Sequence, residues 1–331
     1  MVLVAHAGAV PRISRDGSGG DSVIVGYQRF GDHRVKSRRL DRRASFTAQS
    51  CAAQRAAETL QPPDRRLLDD PYSRYFIHSP LLRVCLIHPL AARAFIEVLK
   101  SVFGAAGHFF LVLRARYTDD VVEAAVNDGV DQLVLLGAGF DTTALRRVSN
   151  STVKIFEVDA PTTQADKRAV MERLRPVQSP NPIVWVPCDF EHDTLREKLL
   201  DSGFDPTRPS LVVWLGVTAY LTREALDATL ADLASLCAPG SRLVFDYLDT
   251  DVVAGDSTSL RARLWTQAAA RFGEPYLTGL TATGADALLA AHGFTCEAHL
   301  TTRELLQHYA SADVGRSSVD GRAAITTAQR S

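Results

Sequence analysis

The chain has 331 residues, 46% hydrophobic and 23% charged, with 37 Lys+Arg against 38 Asp+Glu and a formal net charge of −1. Such a length supports a large core without a metal or disulfide staple. The balanced charge argues against a protein whose main partner is nucleic acid or an anionic membrane, either of which favours a basic surplus.

Cys51, Cys85, Cys188, Cys237 and Cys296 form no CxxC pair. They read as small buried hydrophobes in a reducing compartment, so no zinc site or disulfide framework is expected. The apolar stretch from Leu81 to Leu113 is interrupted by Arg83, Arg93, Glu97 and Lys100. No uncharged piece of it reaches the ~18–20 residues of a membrane span. Met1 to Val10 have no charged region ahead of their short apolar run, so no secretory signal is expected and the cytoplasm is the expected compartment.

Residues 1–44 hold Gly17, Gly19 and Gly20 among polar residues, then Arg34, Lys36, Arg38, Arg39, Arg42 and Arg43. Few apolar side chains are present to offset ordering, so this segment reads as a mobile basic tail. From Ser45 to about residue 115 the pattern is helical. Ala48, Cys51, Ala52, Arg55 and Ala56 recur at helical spacing until Pro62-Pro63, Asp69-Asp70-Pro71 opens a short segment, and Leu90 to Leu113 holds one or two apolar helices. Asp119 and Asp120 are expected as N-terminal residues of a further helix that Gly129 ends.

Strands and helices then alternate to the end of the chain. Short apolar runs at Leu133–Leu136, Val153–Val158, Ile183–Val186, Leu211–Leu215 and Leu243–Tyr247 read as strands. Helices are expected at Ala144–Val148, Gln164–Leu174, Thr194–Asp201 and Thr222–Leu236. Strands without polar alternation, separated by amphipathic helices, predict a parallel sheet covered on both faces. Residues 256–281 read as an insertion with a helix from Leu260 to Phe272. A helix at Thr283–His292, a strand at Phe294–His299 and an edge strand at Arg322–Thr327 follow.

The first strand runs into Gly137-Ala138-Gly139-Phe140-Asp141-Thr142. In an open parallel sheet, ligands bind beyond the carboxyl ends of the strands, and glycines there admit close backbone approach. Asp159 ends the second strand, placed to accept from a ribose hydroxyl pair. Asp189 and Phe190 end the third, offering an acceptor for an exocyclic amine beside a flat ring. A nicotinamide or flavin dinucleotide fits the same topology, but Thr142 stands where the third glycine of GxGxxG is required. S-adenosylmethionine carries adenosine without a phosphate and fits the pattern better.

Ser45-Phe46-Thr47-Ala48 with Arg55-Ala56, Asp69-Asp70-Pro71-Tyr72, Arg116, Leu136 to Thr142, Glu157-Val158-Asp159-Ala160-Pro161, Gly203-Phe204-Asp205-Pro206, Tyr220-Leu221 and Ala238 to Leu243 appear in order. Over about residues 45–328 the chain resembles the leucine carboxyl methyltransferase-like family of class I S-adenosylmethionine-dependent methyltransferases, in particular its bacterial branch of polyketide carboxyl methyltransferases. The resemblance implies a Rossmann-like α/β fold, with a seven-stranded, mostly parallel sheet whose last strand is antiparallel. It also implies an N-terminal helical lid over 45–115 and a cofactor-binding core over 116–331. Arg116 is then expected to pair with the cofactor's carboxylate, Gly137 and Gly139 to admit its methionine portion, Asp159 to hold the ribose, and Asp189 with Phe190 the adenine. In this family the fourth strand commonly ends in a glutamate, and Leu215 takes that place; a nearby acid such as Asp141 is expected to substitute.

The activity these readings imply is O-methyl transfer to a carboxylate or hydroxyl of a small metabolite. A carboxylate acceptor is already ionised at neutral pH and needs no general base. Tyr220, just past the fourth strand, is the candidate to hydrogen-bond the acceptor, and His108 is the candidate base for a hydroxyl. Two other readings stand beside this one. The first is a binding or scaffold protein on a retired methyltransferase fold, motivated by Leu215. The second is an NAD(P)-dependent oxidoreductase, which Thr142 disfavours.

Overall fold

The structure is a computed structural model that describes residues 46–146, 153–174, 182–190, 192–255, 260–271, 275–310, 319 and 322–331. The basic segment 1–44 lies outside them, as do Val148 and Phe272 and parts of the expected insertion. The first described stretch contains helices α1 (Phe46–Thr59), α2 (Pro80–Val84) and α3 (Pro89–Phe103), with a 3-10 turn at Ser73–Phe76 after Asp69-Asp70-Pro71. Proline begins both α2 and α3, where its missing N–H costs nothing. Helix α4 (Ala105–Asn127) is separated from α3 by Gly104, whose φ of 90° no L side chain adopts readily.

The rest alternates: β1 (Gln132–Leu136), α5 (Thr143–Arg146), β2 (Lys154–Asp159), α6 (Pro161–Arg173), β3 (Ile183–Pro187), α7 (Leu195–Asp201), β4 (Leu211–Trp214), α8 (Arg223–Leu236) and β5 (Arg242–Leu248). Then come α9 (Thr250–Ala254), α10 (Leu260–Arg271), α11 (Ala282–Ala291), β6 (Phe294–Thr301), α12 (Thr302–Tyr309) and β7 (Ala323–Arg330). The sheet order is β3-β2-β1-β4-β5-β7-β6, with β7 antiparallel to both neighbours. All seven expected strands form, and the parallel sheet with an antiparallel last strand is the α/β arrangement expected.

Both faces of the sheet are covered, which is why the strands lack polar alternation. Leu133 and Leu135 of β1 pack with Phe109 to Leu113 of α4 and Leu305 and Leu306 of α12. Val134 and Leu136 face the other way, onto Leu226, Leu230 and Leu233 of α8 and Leu195 and Leu199 of α7. Strand order reverses between β1 and β4, so a crevice opens beyond their carboxyl ends.

Two expectations need correction. Asp119 and Asp120 do not start a helix but lie inside α4, which runs unbroken for 23 residues. Asp119 is fully buried and paired with Arg146, so tertiary pairing overrides its capping preference. Helix α12 lies outside the expected elements, although its signal is in the sequence. Thr301 and Glu304 form a capping box, the Glu304 carboxylate accepting the Thr301 N–H at 2.8 Å.

Candidate active site

The turn leaving β1 carries the glycines in left-handed conformations, φ 60° at Gly137 and 45° at Gly139. A Cβ on Gly137 would collide with the Val217 side chain, so this position is fixed by space as well as by φ. Asp159, at the end of β2, accepts the Gly139 N–H through Oδ2 and the Ala160 N–H through Oδ1 at 2.6 Å. Burial pushes its carboxyl above the usual aspartate range despite those two amides. The Ala138 N–H donates to the Val158 carbonyl at 3.1 Å and the Cys188 N–H to the Asp159 carbonyl at 2.9 Å, so the tips of β1, β2 and β3 are joined. Asp189 and Phe190 follow Cys188 directly; the Asp189 N–H donates to Asp193 at 2.8 Å and Phe190 packs on the core. Gly137, Gly139, Asp159, Asp189 and Phe190 therefore converge on one region at the β1–β3 tips.

Arg116 does not join them. Its guanidinium lies on the α12 side of α4, 3.3 Å from Asp120 and over the Tyr309 ring at 5.5 Å. Two residues make about 200° of helical turn, so the inward place belongs to Arg114. Arg114 pairs with Asp246 of β5, and the other Asp246 oxygen accepts the Gly216 N–H at 2.6 Å. Burial works against the arginine's charge and Asp246 outweighs it, so Arg114 holds its proton more tightly than a free guanidinium.

Arg114 and Asp246 line a cavity of about 270 Å³ bounded by Thr47 and Cys51 of α1, Phe110 and Leu111 of α4, Val217, and Tyr220 and Tyr276. The rings of Tyr220 and Tyr276 meet with centroids 5.1 Å apart. Their segments are joined where the Leu277 N–H donates to the Ala219 carbonyl at 2.7 Å and Thr278 Oγ1 to the Leu221 carbonyl at 2.6 Å. Val217 lines this cavity and also packs against Gly137, so a single side chain separates it from the glycine turn.

The carboxylate that meets the backbone just past β4 is that of Asp246 and not of Asp141, and Leu215 carries no acid. Leu215 packs into the α4-side core. The Asp141 carboxylate accepts the Thr143 N–H at 2.7 Å and feels Arg146, away from the residues that line the cavity. His108 is likewise not at the cavity wall: it is buried between Gln54 at 3.1 Å and Glu58 at 3.4 Å. Arg114 and Asp246 escaped sequence reading, although Arg114 directly follows the apolar run Phe109 to Leu113 and Asp246 interrupts the run Leu243 to Tyr247. Elsewhere Asp286, Cys296 and His299 place ligand-type atoms within 4.8 Å of one another, but Asp286 and His299 already pair at 2.8 Å and the group lies outside the cavity lining.

Residues 48–234 match the model of the leucine carboxyl methyltransferase family. The chain belongs to that family. Among relatives, YktD of Bacillus subtilis is 33% identical over 58% of this chain, and a Mycolicibacterium smegmatis protein is 34% identical over 63% of it. Both carry provisional designations as S-adenosyl-L-methionine-dependent methyltransferases. The matched stretches span 63% and 68% of those relatives' own lengths. The fold resembles that of a DUF574 family protein from Streptomyces avermitilis, with a TM-score of 0.54 at 12% identity over 74% of this chain and 92% of that one. It also resembles a protein from Thermobifida fusca provisionally designated a methyltransferase, with a TM-score of 0.50 at 15% identity over 72% and 88%.

Proposed function

We propose that this family member is an S-adenosylmethionine-dependent methyltransferase that transfers a methyl group to an oxygen, most favourably a carboxylate, of a small acceptor held in the Arg114–Tyr220 cavity. The carrying observation is the joined set of tips: two left-handed glycines, one with its N–H directed at the half-buried Asp159 carboxylate, next to Asp189 and Phe190. These residues suit an adenosine-bearing ligand: Asp159 is an acceptor for ribose hydroxyls, Asp189 with Phe190 for adenine, and the Cβ-less turn for the methionine portion. When bound, the cofactor supplies the methyl group, activated on a sulfonium.

The chain's own contribution is alignment and exclusion of water, effects that in well-oriented reactions lower a barrier by ~7–11 kcal/mol. Apolar walls from α4 and the Tyr220–Tyr276 pair line the cavity, and the role assigned to Tyr220 is a hydrogen bond that orients the acceptor. Among the described residues lining the cavity there is no histidine, and Asp246 is engaged by Arg114 and Gly216. That supports an acceptor that arrives already ionised over a hydroxyl that must first lose a proton.

Calorimetric titration with S-adenosylmethionine and S-adenosylhomocysteine tests this reading. Both are expected to bind, and Asp159→Ala is expected to weaken binding about ten- to a hundredfold, the value of a charged hydrogen bond. Unchanged affinity in that variant, or a preference for NAD(P), overturns the assignment.

A further inference from the structure

Four segments meet beneath the glycine turn through buried charged groups. Arg55 of α1, 8% exposed, donates from Nε to Asp70 at 2.9 Å and from its terminal nitrogen to the Phe140 carbonyl at 2.7 Å. Asp70 also accepts the Thr142 hydroxyl at 2.8 Å and the Ser73 N–H at 3.1 Å. Thr142 Oγ1 is 2.9 Å from Arg146 Nε, and Arg146 pairs with Asp119 of α4. The Phe140 ring is held too, stacked on Phe76 at 5.6 Å and edge-on to His78 at 5.9 Å. Buried arginines and carboxylates are a costly means of joining segments that apolar packing alone would hold together. Here they fix the backbone carbonyl of one turn residue and the hydroxyl of another.

The same helix reaches the acceptor side. Thr47 and Cys51 of α1 line the cavity, and Arg55 follows at the next four-residue step along that side of the helix. One rigid element thus carries part of the cavity wall at its start and the clamp on the cofactor turn farther on.

We infer that Arg55 is a positioning residue: it sets the glycine turn through the Phe140 carbonyl and, through α1, couples occupancy of that turn to the acceptor cavity. This rests on the cofactor reading above. Lysine cannot replace it, because a single ammonium lacks the planar fork that serves Asp70 and Phe140 together.

Cys51 is a reporter on the cavity wall that requires no knowledge of the acceptor. Its alkylation by iodoacetamide, followed residue by residue by mass spectrometry on the full chain, is expected to change about fivefold or more on saturation with S-adenosylhomocysteine. In Arg55→Lys the affinity for S-adenosylhomocysteine is expected to fall and the ratio of the two alkylation rates to approach unity. A merely structural arginine would lower the melting temperature of that variant and leave the ratio at its wild-type value, which overturns the inference. Should Arg55→Lys not fold, hydrogen exchange on the wild-type chain decides. S-adenosylhomocysteine must slow exchange in α1 as well as in residues 137–142, and protection confined to the turn overturns the coupling. Calorimetry on the same samples separates the two readings. No binding to the wild-type chain refutes the cofactor assignment and this inference with it, whereas binding without change at Cys51 refutes the coupling alone.

Discussion

The Arg114–Asp246 pair allows stability and activity to be separated experimentally. Its side chains are 17% and 6% exposed, so water screens the pair poorly and neither charge tolerates losing the other. Asp246→Asn keeps shape and one acceptor oxygen, but that oxygen cannot serve both Arg114 and the Gly216 N–H. An amide N–H then faces a donor, and the guanidinium stays charged and unpaired in the interior. Breaking a buried pair from one side costs about 3–5 kcal/mol, a large share of the roughly 5–15 kcal/mol that holds a domain folded. The expected result is a fall of about 1 M or more in the urea midpoint. Replacing both partners, Arg114→Met with Asp246→Leu, removes the orphaned charge and is expected to recover part of that loss, the Gly216 N–H still losing its acceptor, while abolishing methyl transfer. A double-mutant cycle by urea denaturation measures the coupling. If Asp246→Asn costs less than about 1 kcal/mol, or the double variant is as unstable as the single one, the reasoning about this pair is wrong.

Arg116→Ala is expected to change stability and S-adenosylhomocysteine affinity very little, since its partner Asp120 is 39% exposed and such pairs contribute about 0–1 kcal/mol; a tenfold loss of affinity by calorimetry would return Arg116 to the site. Burial raises the Asp70 carboxyl, but Arg146 and Arg55 overcome it and hold it below its ordinary 3.8. Its contribution to stability is therefore complete above that value and is lost as the pH falls through the lowered one. Urea midpoints measured across that acid range are expected to depend on pH less steeply in Asp70→Asn, by about one proton.

The strands and the β1–β3 tips were legible because their signals are local: apolar runs of strand length, glycines at a strand end and carboxylates at the next two ends. Strand ends shifted by one to three residues, the largest shift at β7, which runs on to Arg330. What was not legible depends on rotation and on distance in the chain. Arg114 and Arg116 differ in sequence by two positions and in space by opposite sides of α4, and only the packing of Phe109 to Leu113 against β1 decides which faces inward. Asp246 finds its partner 132 residues away, and Asp70 meets Thr142 across 72. No periodicity or motif spacing encodes such pairings, whereas the helix-turn signal at Thr301–Glu304 was local and could have been read.

The fate of the β4 carboxylate shows how a site can keep its charge while its sequence pattern loses it. Leu215 suggests a missing acid only if the acid must come from β4. The structure supplies one from β5, where Asp246 holds both Arg114 and the Gly216 N–H next to Leu215. Leu215 itself contributes apolar packing to the α4-side cluster. Leu215→Glu therefore adds a second carboxylate beside an arginine already paired, removes apolar contact, and puts two like charges near one another. One of the two acids is expected to titrate upward, stability to fall by about 1–3 kcal/mol, and S-adenosylhomocysteine affinity to show no gain. Calorimetry and urea denaturation on this variant check both statements. A clear rise in affinity would mean that Asp246 does not do the work assigned to it, and would favour the reading of a weakened binding protein over that of an intact enzyme.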